Sequence, residues 1–491
     1  MNQLHALLSQ RKIARAIAGG AVALAAGGIV LLRAPQHGSA APTTSRPHVS
    51  STVTATPGHA PRVEFRGPWA HGRIALSQGA VAANGTRQVF AEVRVAADDQ
   101  AIPANESRPV AMALVLDVSG SMSGEKLAQA RQSVLDVVDQ MRDDDRVALV
   151  TYSDSARVVQ PLARVGDVRS RMHLTVPTIA VEGGTNIPSG LDLGAQTLAE
   201  APATMVRRVV LMSDGRDGSN RDLEAIAQDV RTKADQGVTL SSLGVGADYD
   251  EHYMSRLADA GRGNYEFMRD GTQMRAFLSR ELQQATRTTV ERAVAEVTLP
   301  MGWRLTRAYG CEPVVNGRTV RLPVGALFAG DERRLVLDLA VDAPAAGNTS
   351  AGSLDATVEW NAVAERRDVS VHAGALALAV VATEAEAVAT RDATVQGEAE
   401  STVIAARQFD AVNAWREGRV DEAQAVAQQN LAQLQRIQAA APSAERAAQI
   451  TQFQSDSTNF ANMAPTSESG RAYGLGANAR HRAALRSSVA Y

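Results

Sequence analysis

From about residue 109 the chain alternates short continuous apolar runs with segments whose apolar residues recur every three to four positions. The runs at 110–116, 147–152, 206–212 and 238–244 have too few polar residues for a strand with one wet face. They predict strands buried on both faces, as in a parallel sheet. Between them, Leu127, Ala130, Val134, Val138 and Met141 share one helical face, and Leu223, Ile226, Ala227 and Val230 share another. Strands alternating with helices predict a doubly wound α/β domain with a mostly parallel sheet, over residues 108–285. Ligands of such sheets bind outside the carboxyl ends of the strands, so the chemistry belongs in the loops that follow them.

The flanking pattern has a different period. Residues 73–76 and 88–95 alternate apolar with polar positions around a turn at Asn84-Gly85, too little chain for a domain of its own. The same alternation returns at 293–299, 318–322, 333–341, 354–360 and 367–372, broken by turns at Asn316-Gly317, Gly330-Asp331 and Gly347-Asn348. The economical expectation is one antiparallel β-sandwich, built from 62–107 and 286–375, into which the α/β block is inserted. Segments 395–415 and 420–437 are helical and separated by Gly418, predicting an α-helical hairpin in a helical region over 376–465. No second copy of that pair recurs, which excludes a tetratricopeptide array. Residues 466–491 are polar and short of aliphatic side chains, and are expected to be a disordered tail.

At the N-terminus, Arg11, Lys12 and Arg15 precede an uncharged apolar and glycine run over 16–32, closed by Arg33. A run of about 17 residues sits at the lower limit for a membrane-crossing helix and is slightly long for a signal-peptide core. Residues 1–33 therefore predict a signal anchor or signal peptide. A retained anchor contacts the membrane through 13–33 and leaves the folded domains outside the cytoplasm, periplasmic or on the cell surface. Cleavage near Gly38-Ser39-Ala40 gives a secreted protein instead, and a buried soluble helix is the third reading. Gly19, Gly20, Gly27 and Gly28 match a helix-pairing spacing only loosely. The Pro-, Ser- and Thr-rich stretch 34–61 reads as a disordered linker. A formal net charge of -3 offers no footprint for nucleic acid. The single cysteine, Cys311, excludes an intrachain disulfide and reads as a packed small side chain.

Just past the first buried strand stands Asp117-Val118-Ser119-Gly120-Ser121. Alternation puts the side chains of Asp117, Ser119 and Ser121 on one side, an arrangement suited to holding a hard cation by a carboxylate and two hydroxyls. Two more oxygen donors lie in later loops: Thr185 in Gly183-Gly184-Thr185-Asn186 and Asp214 in Ser213-Asp214-Gly215. A blander reading makes Asp117 and Ser119 helix caps, but leaves Thr185 and Asp214 unexplained. Enzymatic readings lack their parts. Gly120, Gly124 and Lys126 miss the phosphate-loop spacing, with Glu125 where the lysine is required, and no G-x-G-x-x-G follows the first strand, so no nucleotide is expected. A D-x-D phosphatase needs a carboxylate where Ser119 stands. A nucleophilic serine needs a base, and none of the nine histidines neighbours these loops; His173 and His252 read as solvated or packed. Asp143-Asp144-Asp145 reads as a solvated turn.

This D-x-S-x-S, with Thr185 and Asp214, resembles the metal-ion-dependent adhesion site of the von Willebrand factor type A family, with all five motif positions filled. Leu243-Gly244-Val245-Gly246 followed by Gly261-Arg262-Gly263-Asn264-Tyr265 is similar to the family's last strand, helix and edge strand. The resemblance spans roughly residues 108–284. It implies that Ser119, Ser121 and Thr185 bind metal directly or through water, that one or both of Asp117 and Asp214 act through water, and that the remaining position accepts a carboxylate from a partner protein. The donors are all hard oxygens and only two are anionic, which favours Mg²⁺ or Mn²⁺ over Ca²⁺ and leaves the ion's charge partly unbalanced. The expected function is divalent-cation-dependent binding of an acidic residue on a protein partner, without enzymatic turnover, by a bacterial-type membrane-anchored protein. An accessory subunit that assembles or gates a membrane complex is the alternative, and a metal-dependent hydrolase the weaker one. Glu182 is the side chain whose entry into the open position would make the site structural.

Overall fold

The computed structural model describes residues 53–54 and 59–486, apart from 101, 104–107, 203, 247–248 and 269–271. The expected signal or anchor, its glycines and most of the 34–61 linker lie outside the described residues. Among the described residues no helix is long and apolar enough to cross a membrane.

The central sheet runs, in spatial order, Arg262–Met268, Val238–Val245, Val206–Ser213, Val110–Asp117, Arg146–Tyr152 and Ala156–Arg164. All neighbours are parallel except the last pair, which is antiparallel. Every residue of the Val110–Asp117 strand is buried, as its unbroken apolar run requires when helices cover both faces. The helices Glu125–Gln140 and Thr272–Thr286 pack on one face through Val134, Val138, Met274 and Phe277. On the other face, Ile187–Ala199, Leu223–Asp235 and Glu251–Ala260 contribute Leu191, Ile226 and Leu257. The acidic turn after the first helix is only partly solvated. Asp143 and Asp144 are exposed, whereas Asp145 is fully buried and accepts the backbone N–H of Val110 at 2.7 Å, fastening the start of the central strand.

The chain on either side of this block builds two further six-stranded sheets, the β-sandwich with the α/β domain inserted in it. Gly85–Ala97 pairs antiparallel with Glu332–Ala343 along its whole length, from Ala96 opposite Glu332 to Gly85 opposite Ala343. Ala80–Ala82 pairs with Arg367–Val381 in the opposing sheet. The N-terminal segment therefore belongs to both layers, and the core between them includes Phe65, Val93, Leu337, Leu339 and Trp360. Where the chain leaves and re-enters the sandwich, Arg108 and Glu291 form an ion pair at 2.9 Å. Cys311 packs against this core, and burial pushes its thiol up to about 12, an unreactive small side chain.

Two boundaries differ from expectation. The last sandwich strand continues to Val381, passing Gly374 at φ +117, where a left-handed bulge lets the strand bend without ending. The C-terminal region contains Ala393–Arg416, Val420–Ala440, Ala444–Asn462 and Glu468–Arg486, so the expected hairpin is half of a four-helix group. The tail at 466–491 was expected to be disordered, yet its Glu468–Arg486 segment is a helix. Its polar residues find distant partners: His481 Nε2 and Asp456 Oδ2, both fully buried, are 2.6 Å apart, and Tyr473 donates to Asp456 at 2.7 Å. Leu475 and Ala479 join the apolar cluster of the α/β domain beside Tyr265. Composition hides such contacts because they are made across the fold rather than along the chain.

The same helical group is tied to the α/β domain by the ion pair of Arg416 with Glu251. Burial pushes the Glu251 carboxyl up to about 7, against the opposing pull of Arg416, from an ordinary value of 4.5. A carboxyl raised on folding contributes stability that is complete below its unfolded value and is lost as pH rises through its folded value. The melting temperature is therefore expected to fall between about pH 5 and about pH 8, and Glu251→Gln to flatten that dependence. A wild-type melt that is level over this range, or a variant as steep as wild type, contradicts the assignment.

Candidate functional site

All five candidate residues lie at the carboxyl edge of the central sheet. Asp117 is the last residue of its strand, Ser119 and Ser121 occupy the turn before the Glu125–Gln140 helix, and Asp214 directly follows the Val206–Ser213 strand. Thr185 lies two residues before the Ile187–Ala199 helix, whose cap Asn186 accepts the backbone N–H of Ser189. The parallel strands end side by side, which brings residues nearly a hundred positions apart into one cluster.

Hydrogen bonds define its geometry. Asp117 Oδ1 accepts the Ser119 backbone N–H at 2.8 Å, and Oδ2 accepts Ser213 Oγ at 2.6 Å. Ser119 Oγ and Ser121 Oγ are 3.1 Å apart, and Ser121 Oγ donates to Asp214 Oδ1 at 2.7 Å. Thr185 lies on the same side: a Cβ placed on Gly215 would stand 3.0 Å from Thr185 Oγ1 and 3.6 Å from Ser121 Oγ, so both hydroxyls border that glycine. The three loops are locked to one another by backbone bonds, Gly120 to Gly183 at 3.1 Å, Glu182 to Val118 at 2.6 Å and Gly218 to Thr185 at 2.8 Å.

Burial is graded across the site. Asp117, Asp214 and Ser119 are buried, Thr185 is half-buried and Ser121 is exposed, so the cluster has a floor of carboxylates and a rim of hydroxyls open to solvent. Burial raises the Asp117 carboxyl above its ordinary value; hydrogen bonds from Ser119 and Ser213 oppose that shift, and the neighbouring Asp214 adds to it.

The donor set fits a small hard cation. Ligands in adjacent positions of an octahedron with bonds of about 2.1 Å lie about 3 Å apart, and the 3.1 and 2.7 Å separations through Ser121 match that edge. Among the described residues no group of three or more His, Cys, Asp or Glu side chains could hold a metal, so an ion here depends on the hydroxyls. Glu182 does not turn into the site: it pairs with Arg157 at 2.8 Å and accepts Ser153 Oγ at 3.1 Å.

Two residues at the site were not assigned a role from sequence. Ser213 orients Asp117, and Lys126 forms an ion pair with Asp214 Oδ2 while donating to Ser121 O at 3.3 Å. Lys126 carried one signal: a cation in the first turn of a helix faces the positive end of the helix dipole and calls for a nearby acid. Ser213 carried none beyond its place beside Asp214. His173 pairs with exposed Asp139, and His252 is exposed.

Residues 112–280 match the model of the von Willebrand factor type A domain. The uncharacterised Escherichia coli protein YfbK is 30% identical over 196 residues, covering 39% of this chain and 34% of that protein. Inter-alpha-trypsin inhibitor heavy chain H2 of Sus scrofa is 30% identical over 168 residues, covering 32% of this chain and 18% of that one. The chain thus spans about a third or less of the length of these two relatives. A solved von Willebrand factor type A protein from Catenulispora acidiphila shares the fold with a TM-score of 0.61 at 19% identity, over 80% of this chain and 91% of that chain. That coverage extends the likeness in fold beyond the α/β domain to its flanking sheets and helices.

Proposed function

We propose that the von Willebrand factor type A domain of this chain binds a protein partner through a divalent cation, Mg²⁺ or Mn²⁺, held by Asp117, Ser119, Ser121, Thr185 and Asp214. The observation that carries this reading is the convergence of five oxygen-bearing residues from three loops at one sheet edge, with the Ser119–Ser121 and Ser121–Asp214 oxygens spaced as neighbouring ligands of one small cation would be. Domains of this class typically mediate protein–protein interaction, and the open rim at Ser121 and Thr185 suits that role.

Asp117 and Asp214 supply the buried negative charge that draws a cation in, and Ser213 holds Asp117 in orientation. Ser119, Ser121 and Thr185 add donors without adding charge. The bound ion would supply a positive charge only partly balanced by two carboxylates and a coordination position for a carboxylate of the partner. Specificity then resides in the loops around the rim, with Glu182 and Arg157 held together beside it. The carboxylate that accepts Ser121 Oγ, Asp214, is itself paired with Lys126, and we read the domain as a binding module rather than an enzyme. Residues 16–32 are proposed to carry the chain out of the cytoplasm and, where retained, to anchor it to the membrane.

The test is capture of partners from the host with immobilised full-length protein, in Mg²⁺ and in EDTA. Specific partners are expected to be retained in Mg²⁺, released by EDTA and absent with Asp117→Ala. Capture indifferent to chelation and to that substitution overturns the metal-dependent reading.

A further inference from the structure

Asp214 is buried at the end of its strand, and its two oxygens have different partners: Oδ1 accepts Ser121 Oγ, and Oδ2 pairs with the Lys126 ammonium. Among the described residues Lys126 is the one cation paired with this carboxylate. Lys126 is the second residue of the Glu125–Gln140 helix, where the helix dipole disfavours a positive charge. Its side chain passes Gly246, at φ +78, where a Cβ would stand 3.4 Å from Nζ and 3.5 Å from Cε. The ammonium also donates to Ser121 O, so it touches two of the five candidate ligand residues. An exposed ion pair of this kind would mean little, but here the carboxylate is fully buried and the lysine is 37% exposed.

We infer that Lys126 is a resident counter-cation of the site: it balances Asp214 when no ion is bound and must withdraw before a divalent cation can take that carboxylate. The inference rests on the reading of the five-residue cluster as a metal site. Two cations cannot share one buried carboxylate without repulsion at close range. Lys126 therefore lowers the affinity of the ion and sets the concentration at which the site fills. A site tuned in this way stays empty at low metal, with Asp214 screened, and becomes competent for a partner only once the ammonium has been displaced.

The experiment is titration of the full chain with Mn²⁺ alone, following the free-ion signal by electron paramagnetic resonance, which reads ion occupancy without any partner. Lys126→Met removes the charge and keeps the aliphatic stem, and is expected to lower the Kd roughly tenfold or more. Lys126→Arg retains a cation and is expected to stay near wild type. A melt in EDTA checks that the variants are folded. If wild type binds Mn²⁺ and Lys126→Met binds no tighter, Lys126 is not a competitor and the inference falls while the metal site stands. If wild type, Lys126→Met and Lys126→Arg all fail to bind, the metal site itself falls and the inference with it.

Discussion

Asp117→Ala and Asp214→Ala are each expected to abolish metal-dependent partner binding while leaving the fold in place. Each removes one of two anionic donors, so the ion's affinity should drop by about a hundredfold or more, beyond the ~10–100-fold typical of losing an outer-shell partner. The fold should survive for a reason specific to each position. At Asp117 the truncation strands the Ser119 N–H and the Ser213 hydroxyl, a cost of ~1–3 kcal/mol. Burial already holds that carboxyl above its ordinary value, so removing the charge offsets part of the loss. At Asp214 the stranded cation is Lys126, which is partly exposed and can turn to water. Titration calorimetry with Mg²⁺ beside a thermal melt in EDTA checks both statements. Near-wild-type ion affinity in either variant, or a chain that no longer folds, would count against the assignment.

The second large effect is structural. Asp456→Ala should destabilise the helical group by on the order of 3–5 kcal/mol, the cost of removing one member of a buried, hydrogen-bonded pair. Asp456 accepts from His481, Tyr473, Gln408 and Gln452, and all four donors lose their acceptor together. Burial raises the Asp456 carboxyl, but the bonds from His481 and its other donors win and hold it below 3.8. Its contribution is therefore present above the unfolded value and lost as pH falls through the folded one. Because the Glu468–Arg486 helix is held through His481 and Tyr473, the variant should expose the Asn462–Glu468 connection to protease before the rest of the chain unfolds. Digestion and melting indistinguishable from wild type would show that the tail helix is held by its apolar contacts alone.

The parts of the fold that could be read from sequence are those whose signal is local. Val110–Asp117 declares itself because a strand covered on both faces must be apolar throughout. The placement of Asp117, Ser119, Ser121, Thr185 and Asp214 at one sheet edge was legible for a related reason: each follows a strand or precedes a helix whose position the pattern already marks. The insertion into a sandwich followed from matching period-two segments on both sides of the α/β block. What escaped depends on contacts far apart in sequence. His481 and Asn478 look like residues of a solvated tail until Asp456 and Asn413 are placed opposite them. Asp145 looks like the end of an acidic turn until the Val110 N–H is seen to point at it. Lys126 looks like a failed phosphate-loop lysine until strand order brings Asp214 beside it.

The most direct test of the metal site is anomalous diffraction from crystals of the protein grown or soaked in Mn²⁺. The account predicts a peak among Ser119 Oγ, Ser121 Oγ, Thr185 Oγ1 and the carboxylates of Asp117 and Asp214, with at least one coordination position taken by water or by an acidic group from outside the chain. A peak elsewhere, no peak at saturating Mn²⁺, or an ion whose every position is filled by this chain's own side chains, Glu182 among them, would contradict it.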